Sequence, residues 1–190
     1  MPVDRFISRL RSALGASTPR PADIPEFTPA AVLVPIVPRR GEPHLLFTVR
    51  SEDLRTHSGQ ISFPGGKVDP GDPDRVATAL REAEEEIGLN PAHVEVIGAL
   101  DEVATPARFV ITPIVGLVHE EFEVRARSTE VAEAFEVPLE ALRAPEVFAD
   151  KGQVERDGRL YHLVAYQIGN RFIWGATARV VLQLLSFTDD

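Results

Sequence analysis

A chain of 190 residues with 44% hydrophobic and 26% charged side chains can bury a sizeable core and has the make-up of an ordinary folded domain. It has no cysteine, which excludes disulfides, thiolate metal sites and thiol nucleophiles, and its formal net charge of −9 argues against duplex nucleic acid as a partner. No run approaches the ~18 apolar residues of a membrane span. Residues 1–15 alternate in charge without the apolar stretch of a signal peptide, so a cytoplasmic protein with no membrane partner is expected.

Val3, Phe6, Ile7, Leu10 and Leu14 recur at helical spacing, which predicts an amphipathic helix over residues 4–15 for packing or a homodimer edge. Residues 16–29 hold four prolines and read as an extended connector. The apolar runs 30–40 and 44–51 predict neighbouring strands of a hairpin, and a short strand covers 60–63 after a polar loop. Further strands are expected at 94–105 and 111–118. A short strand and a helical turn, Pro138 to Arg143, follow within 130–145. A hairpin at 154–169 turns on Asp157-Gly158. Phe172 and Trp174 either stack on a base or seat the closing helix, Gly175 to Phe187, in the core. The expected fold is α/β: one domain over 1–190, with a mixed sheet, helices on both faces, and residues 1–29 preceding the core.

The organising stretch is Phe63 to Asn90. A glycine-rich turn leads to Asp72-Pro73, read as N-cap and first helical residue, and Gly88 suits the left-handed position past the helix end. At about 100° per residue, Val76, Ala79, Leu80, Ala83 and Ile87 share one side, and Glu82, Glu85 and Glu86 share the other. Like charges at i,i+4 repel by a few tenths of a kcal/mol, so a bound cation is expected there, against the plainer alternative of a solvated face. Glu82 and Glu86 can converge on one hard divalent ion, with Glu85 beside them and Arg81 placed to orient Glu85. The glycine turn lets backbone N–H groups approach an anion. Metal, carboxylates and an anion loop together suit displacement at phosphorus.

Gly66, followed by Arg81-Glu82-Ala83-Glu84-Glu85-Glu86-Ile87-Gly88-Leu89, resembles the Nudix box, whose second half reads R-E-U-x-E-E-x-G-U with U apolar. The front half departs from it: the spaced acidic residue is Asp72, and one extra residue separates it from Arg81. Leu46-Phe47-Thr48-Val49-Arg50-Ser51, then Arg55, Gly59 and Phe63-Pro64-Gly65-Gly66, resembles the signature that precedes the box in Nudix coenzyme A diphosphatases, with Phe47 as its one departure.

The resemblance implies a Nudix-like α/β/α sandwich with its catalytic loop-helix-loop at residues 65–90. It implies Mg²⁺- or Mn²⁺-dependent hydrolysis of coenzyme A (CoA) to 3′,5′-ADP and 4′-phosphopantetheine. Catalytic roles fall to Arg81, Glu82, Glu85 and Glu86, the three glutamates as metal ligands. Substrate contacts fall to Thr48, Arg50, Arg55, Gly65, Gly66 and Lys67, with forked phosphate contacts from the two arginines. His57 and the pair Glu120-Glu121 are further candidates, whereas the other histidines sit in no ligand pattern. The competing expectations are another diphosphate substrate, such as ADP-ribose, or a non-catalytic nucleotide-binding module.

Overall fold

The computed structural model describes residues 3–51, 59–119 and 125–188. The elements are α1 (Val3–Ala16), β1 (Thr28–Arg39), β2 (Glu42–Arg50), β3 (Ile61–Ser62), β4 (Gly65–Lys67), α2 (Arg75–Ile87), β5 (Val94–Ala99), β6 (Val103–Ala104) and β7 (Phe109–Val118). They continue as β8 (Val131–Pro138), α3 (Leu139–Arg143), β9 (Phe148–Arg156), β10 (Arg159–Ile168), β11 (Arg171–Trp174) and α4 (Gly175–Ser186). Among the described residues, eight strands form a mixed sheet ordered β3-β2-β1-β7-β5, with β4 on β1, β6 on β7 and β8 on β2. β1 and β7 run parallel, Thr28 opposite Phe109.

The central strand β1 is almost continuously buried, as an unbroken apolar run should be. Its interior Pro35 has no N–H to give. Leu33 N–H, two residues back, donates to Pro64 O, so the Pro35 nitrogen faces the same edge. On that edge β1 pairs with β4 through Ala30–Val32 and with β2 from Ile36 onward, and Pro35 falls in the gap.

Two cores flank the sheet. On one face α2 sets Ala79, Ala83 and Ile87 against Ala31, Leu33, Leu46 and Ile114. On the other, Phe6, Leu10 and Leu14 of α1 and Ala178, Val181 and Leu185 of α4 join Val34, Ile36, Phe47 and Val115. The expected α/β/α layering is therefore present. A three-stranded sheet ordered β11-β10-β9 shares the second layer and contributes Val164, Tyr166 and Ile173 to that core. Its hairpin turns at Asp157 (φ 52°) and Gly158 (φ 74°), between the paired residues Arg156 and Arg159.

Three expectations are corrected. The strand predicted at 94–105 is split into β5 and β6 because Asp101 and Glu102 turn their carboxylates to the connector. Asp101 accepts from Arg20 N–H at 2.9 Å, and Glu102 accepts from Ala22 N–H at 2.9 Å and Thr112 Oγ1 at 2.8 Å. Phe172 and Trp174 do not seat α4 in the core: they are 50% and 45% exposed, and alternation along β11 sends only Ile173 inward. Helix α2 begins at Arg75 rather than Pro73, and its cap is Asp74, which accepts from Ala77 N–H at 2.8 Å. At the far end Gly88 (φ 70°) closes the helix as expected, its N–H turned back to Ala83 O and Glu84 O.

Candidate active site

The site forms where α2 crosses β4. Gly65 N–H donates to Glu86 Oε2 at 3.2 Å. A Cβ on Gly66 would lie 2.4 Å from Glu82 Oε1, and one on Gly65 2.4 Å from Ala31 O. Gly65 therefore requires glycine against the β1 backbone, and Gly66 leaves room for the Glu82 carboxylate in its present place. The stretch expected to offer its N–H groups to an anion, Gly65–Lys67, is a strand paired to β1, and the Gly65 N–H is already given to a carboxylate.

Asp72, freed from capping, anchors the arginine. Arg81 Nε and Nη2 donate to Asp72 Oδ1 and Oδ2 at 3.0 and 2.9 Å, and Asp72 Oδ2 also accepts from Thr78 Oγ1 and Asp69 N–H. The Arg81 hydrogen bonds, then that of Asp69, hold the Asp72 carboxyl well below the usual carboxylate range. The remaining arm, Nη1, donates to Glu82 Oε1 at 2.9 Å and reaches the exposed Glu85 at 3.4 Å. Arg81 thus orients Glu82 first, and the expected i,i+4 contact to Glu85 is the longer of the two.

Glu82 and Glu86 face each other across one turn of α2. Burial pushes Glu82 up from its ordinary pKa, against the pull of Arg81. Burial pushes Glu86 further, to about 7; Gly65 N–H and Arg50 oppose this, and the charges of Glu82 and Glu130 add to it. Among the described residues no three carboxylate or imidazole groups converge into a ready-made metal cage. The donor chemistry fits a hard divalent cation nonetheless. Two oxygen ligands with a shortage of positive charge between them are the usual protein share of a Mg²⁺-type site, which takes the rest of its shell from water and phosphate.

Arg50, at the end of β2, stands within the electrostatic reach of Glu86. Its Nη2 lies 3.5 Å from Glu130 Oε2, and its buried Nε has no hydrogen-bond partner among the described residues. Such a donor has room for an anionic partner. Glu130 escaped the sequence reading; it lies far along the chain, in no motif, and reaches the site because Ser51 N–H donates to its carbonyl oxygen. Thr48, expected as a substrate contact, is 2% exposed, and its Oγ1 donates to Ser62 O at 3.2 Å, tying β2 to β3. Part of the pre-box signature is likewise packing. Phe47 stacks on Phe63 at 4.8 Å and on Phe135 at 5.7 Å between ring centroids. Lys67 is exposed on the opposite face of β4 from Glu82. His119 and His162 pair with Glu95 and Asp150, away from the carboxylate helix. Arg55, His57, Glu120 and Glu121 lie outside the described residues.

A partly buried carboxylate pair on a helix, an arginine clamp and a glycine strand beneath suit a divalent cation and a phosphate group, and comparison with known proteins gives the family. The NUDIX domain model matches residues 27–158, so the chain belongs to the Nudix family of hydrolases. The Nudix hydrolase NudL of Cronobacter sakazakii, named as uncharacterized, is 40% identical over 186 residues, covering 96% of this chain and 92% of its own. Among solved structures, a C. elegans Ap4A hydrolase binary complex gives a TM-score of 0.51 at 21% identity, over 63% of this chain and 86% of that one. A MutT/nudix family protein from Enterococcus faecalis gives 0.56 at 12% identity, over 98% and 69%. At such identities the structures establish a shared fold.

Proposed function

We propose that the protein is a divalent-metal-dependent diphosphatase that cuts CoA at its diphosphate, giving 3′,5′-ADP and 4′-phosphopantetheine. The observation that carries this is the buried Nε of Arg50, without a hydrogen-bond partner among the described residues and within the electrostatic reach of Glu86. It puts a residue of the pre-box signature within reach of the carboxylates of the box. Glu82 and Glu86 would hold Mg²⁺ or Mn²⁺, with exposed Glu85 taking its outer waters. When bound, the ion offsets charge developing on the diphosphate and activates a water. The chain's own part is positional. Arg81 fixes Glu82, Gly65 N–H fixes Glu86, and Arg50 can turn from the long contact with Glu130 to a forked contact with phosphate. Residues 1–190 act as one unit in this reading, because α1 is built into the main core.

The test is to incubate the protein with CoA, ADP-ribose and NADH plus Mg²⁺ or Mn²⁺ and to identify products by mass. Release of 4′-phosphopantetheine with ADP-ribose left intact is expected. Preferential cleavage of ADP-ribose would replace the CoA reading. No metal-dependent cleavage of any diphosphate would favour a binding module.

A further inference from the structure

Two cationic side chains from distant parts of the chain lie on the sheet face opposite α2, on either side of the first residues of β7. Lys67 of β4 sits with Nζ 5.7 Å from the centroid of the Phe109 ring. Phe109 shares strand parity with Val115 and Leu117, which belong to the core on that face. Arg179 descends from α4 on the same side, and its Nη1 donates to Ala104 O at 3.3 Å. Ala104 pairs with Val110, the residue after Phe109. The guanidinium and the ammonium thus flank the start of one strand.

Neither cation has a carboxylate within ion-pair distance among the described residues. Arg39, Arg81 and Arg171, by contrast, are held by Glu136, Asp72 and Glu133. Arg179 is half-buried, burial lowers its pKa, and its guanidinium donates to a backbone carbonyl, Ala104 O. A partly desolvated charge without a counter-charge is costly. In a chain with 29 acidic and 20 Lys or Arg residues, a carboxylate could readily have been supplied. Among the described residues, then, this pair of cations leaves room for an anionic ligand.

We infer that Lys67 and Arg179, with Phe109 as an apolar floor, form a second anion subsite that takes a phosphate monoester of the substrate, across β4 from the carboxylates of α2. The inference rests on the CoA reading for its ligand: CoA carries such a group at the ribose 3′ position, and ADP-ribose and 3′-dephospho-CoA do not. β4 then separates two tasks. One side, through Gly66 and Glu82, serves the bond that is cut; the other, through Lys67, serves recognition. A monoester dianion between an ammonium and a guanidinium gives charge-assisted contacts, of the stronger kind of hydrogen bond.

Calorimetric titration of the full chain with 3′,5′-ADP and 5′-AMP tests the subsite without turnover. The wild type should bind 3′,5′-ADP about tenfold or more tightly. Arg179→Gln and Lys67→Gln should each lose most of that preference, and Arg179→Lys should retain part of it. Steady-state rates should agree: the kcat/KM ratio of CoA to dephospho-CoA falls about tenfold in Arg179→Gln, through KM rather than kcat. Equal binding of the two nucleotides by the wild type, or variants that weaken both alike, overturns the subsite. If the wild type discriminates but CoA is not cleaved, the subsite stands and the CoA reading fails. If CoA is cleaved and the ratio is unmoved in both glutamine variants, the reading stands and the subsite fails. Should Arg179→Gln not fold, the exposed Lys67→Gln carries the test alone.

Discussion

Arg81 grips Asp72 with two nitrogens, at 3.0 and 2.9 Å, and holds Glu82 Oε1 at 2.9 Å with the third. The clamp converts a salt bridge into an aiming device, because the planar guanidinium cannot satisfy both carboxylates without fixing the direction of Glu82. Asp72→Ala should lower kcat by about 10–100-fold and weaken Mg²⁺ binding, the loss typical of removing a partner behind a metal ligand. Arg81→Lys should do the same, since an ammonium has no fork to span Asp72 and Glu82. Titrating activity against Mg²⁺ separates the outcomes. An unchanged Mg²⁺ dependence in Asp72→Ala would show that Glu82 needs no such support.

Gly66→Ala probes the other side of Glu82. Its Cβ would lie 2.4 Å from Glu82 Oε1 and 2.5 Å from the carboxyl carbon, both at the far end of a side chain that can swing away. The fold should survive, with a loss of no more than about 1–3 kcal/mol. The displaced carboxylate should cost most of the activity. Denaturant unfolding and kcat measured together check this; loss of folding in step with loss of activity would mean that β4 cannot tolerate the shift.

The acidic helix was legible because its signals agree. The apolar positions from Ala79 to Ile87 repeat at helical spacing, and Gly88 stops the helix in the left-handed conformation that favours glycine. Its start was not. Asp72 and Asp74 both flank Pro73 and are equally good caps by composition, and the choice turns on Arg81, which draws Asp72 away from the helix end. The same limit applies to Phe172-Ile173-Trp174, where three apolar residues in a row conceal the alternation that exposes the outer two. Glu130 beside Arg50, and Arg179 beside Ala104, are consequences of strand pairing and helix docking, and no local pattern announces either.

The amino-terminal helix lies outside the matched family region, residues 27–158, yet Phe6 and Leu10 are fully buried. Leu10 packs in the same cluster as Val34, Phe47 and Val115, so α1 should contribute to global stability. Leu10→Ala should destabilise the protein by about 2–5 kcal/mol, the usual range for such a truncation in a core. A loss below ~1 kcal/mol in urea unfolding would mark α1 as an appendage and residues 27–158 as the folding unit.

Glu86 gives the sharpest pH signature. Its folded-state pKa is raised from the ordinary 4.5 to about 7, chiefly by burial, with the charges of Glu82 and Glu130 adding to the shift. An acid raised in this way binds more protons in the folded than in the unfolded state between those two values. Metal-free stability from this group is therefore complete below about pH 4.5 and falls as pH rises to about 7. The full penalty is on the order of 3 kcal/mol, and a divalent cation should offset much of it, so Mg²⁺ should stabilise the wild type more at pH 8 than at pH 5.5. Glu86→Gln carries no charge to bury. With chelator present it should be more stable than the wild type at pH 8, by about 1–3 kcal/mol, and flat across the window. It should also lose both turnover and the stabilisation by Mg²⁺. Urea unfolding at pH 5.5 and pH 8, with chelator or with Mg²⁺, reads all of these effects. A variant that keeps its turnover at saturating Mg²⁺ would remove Glu86 from the metal site, whatever its stability.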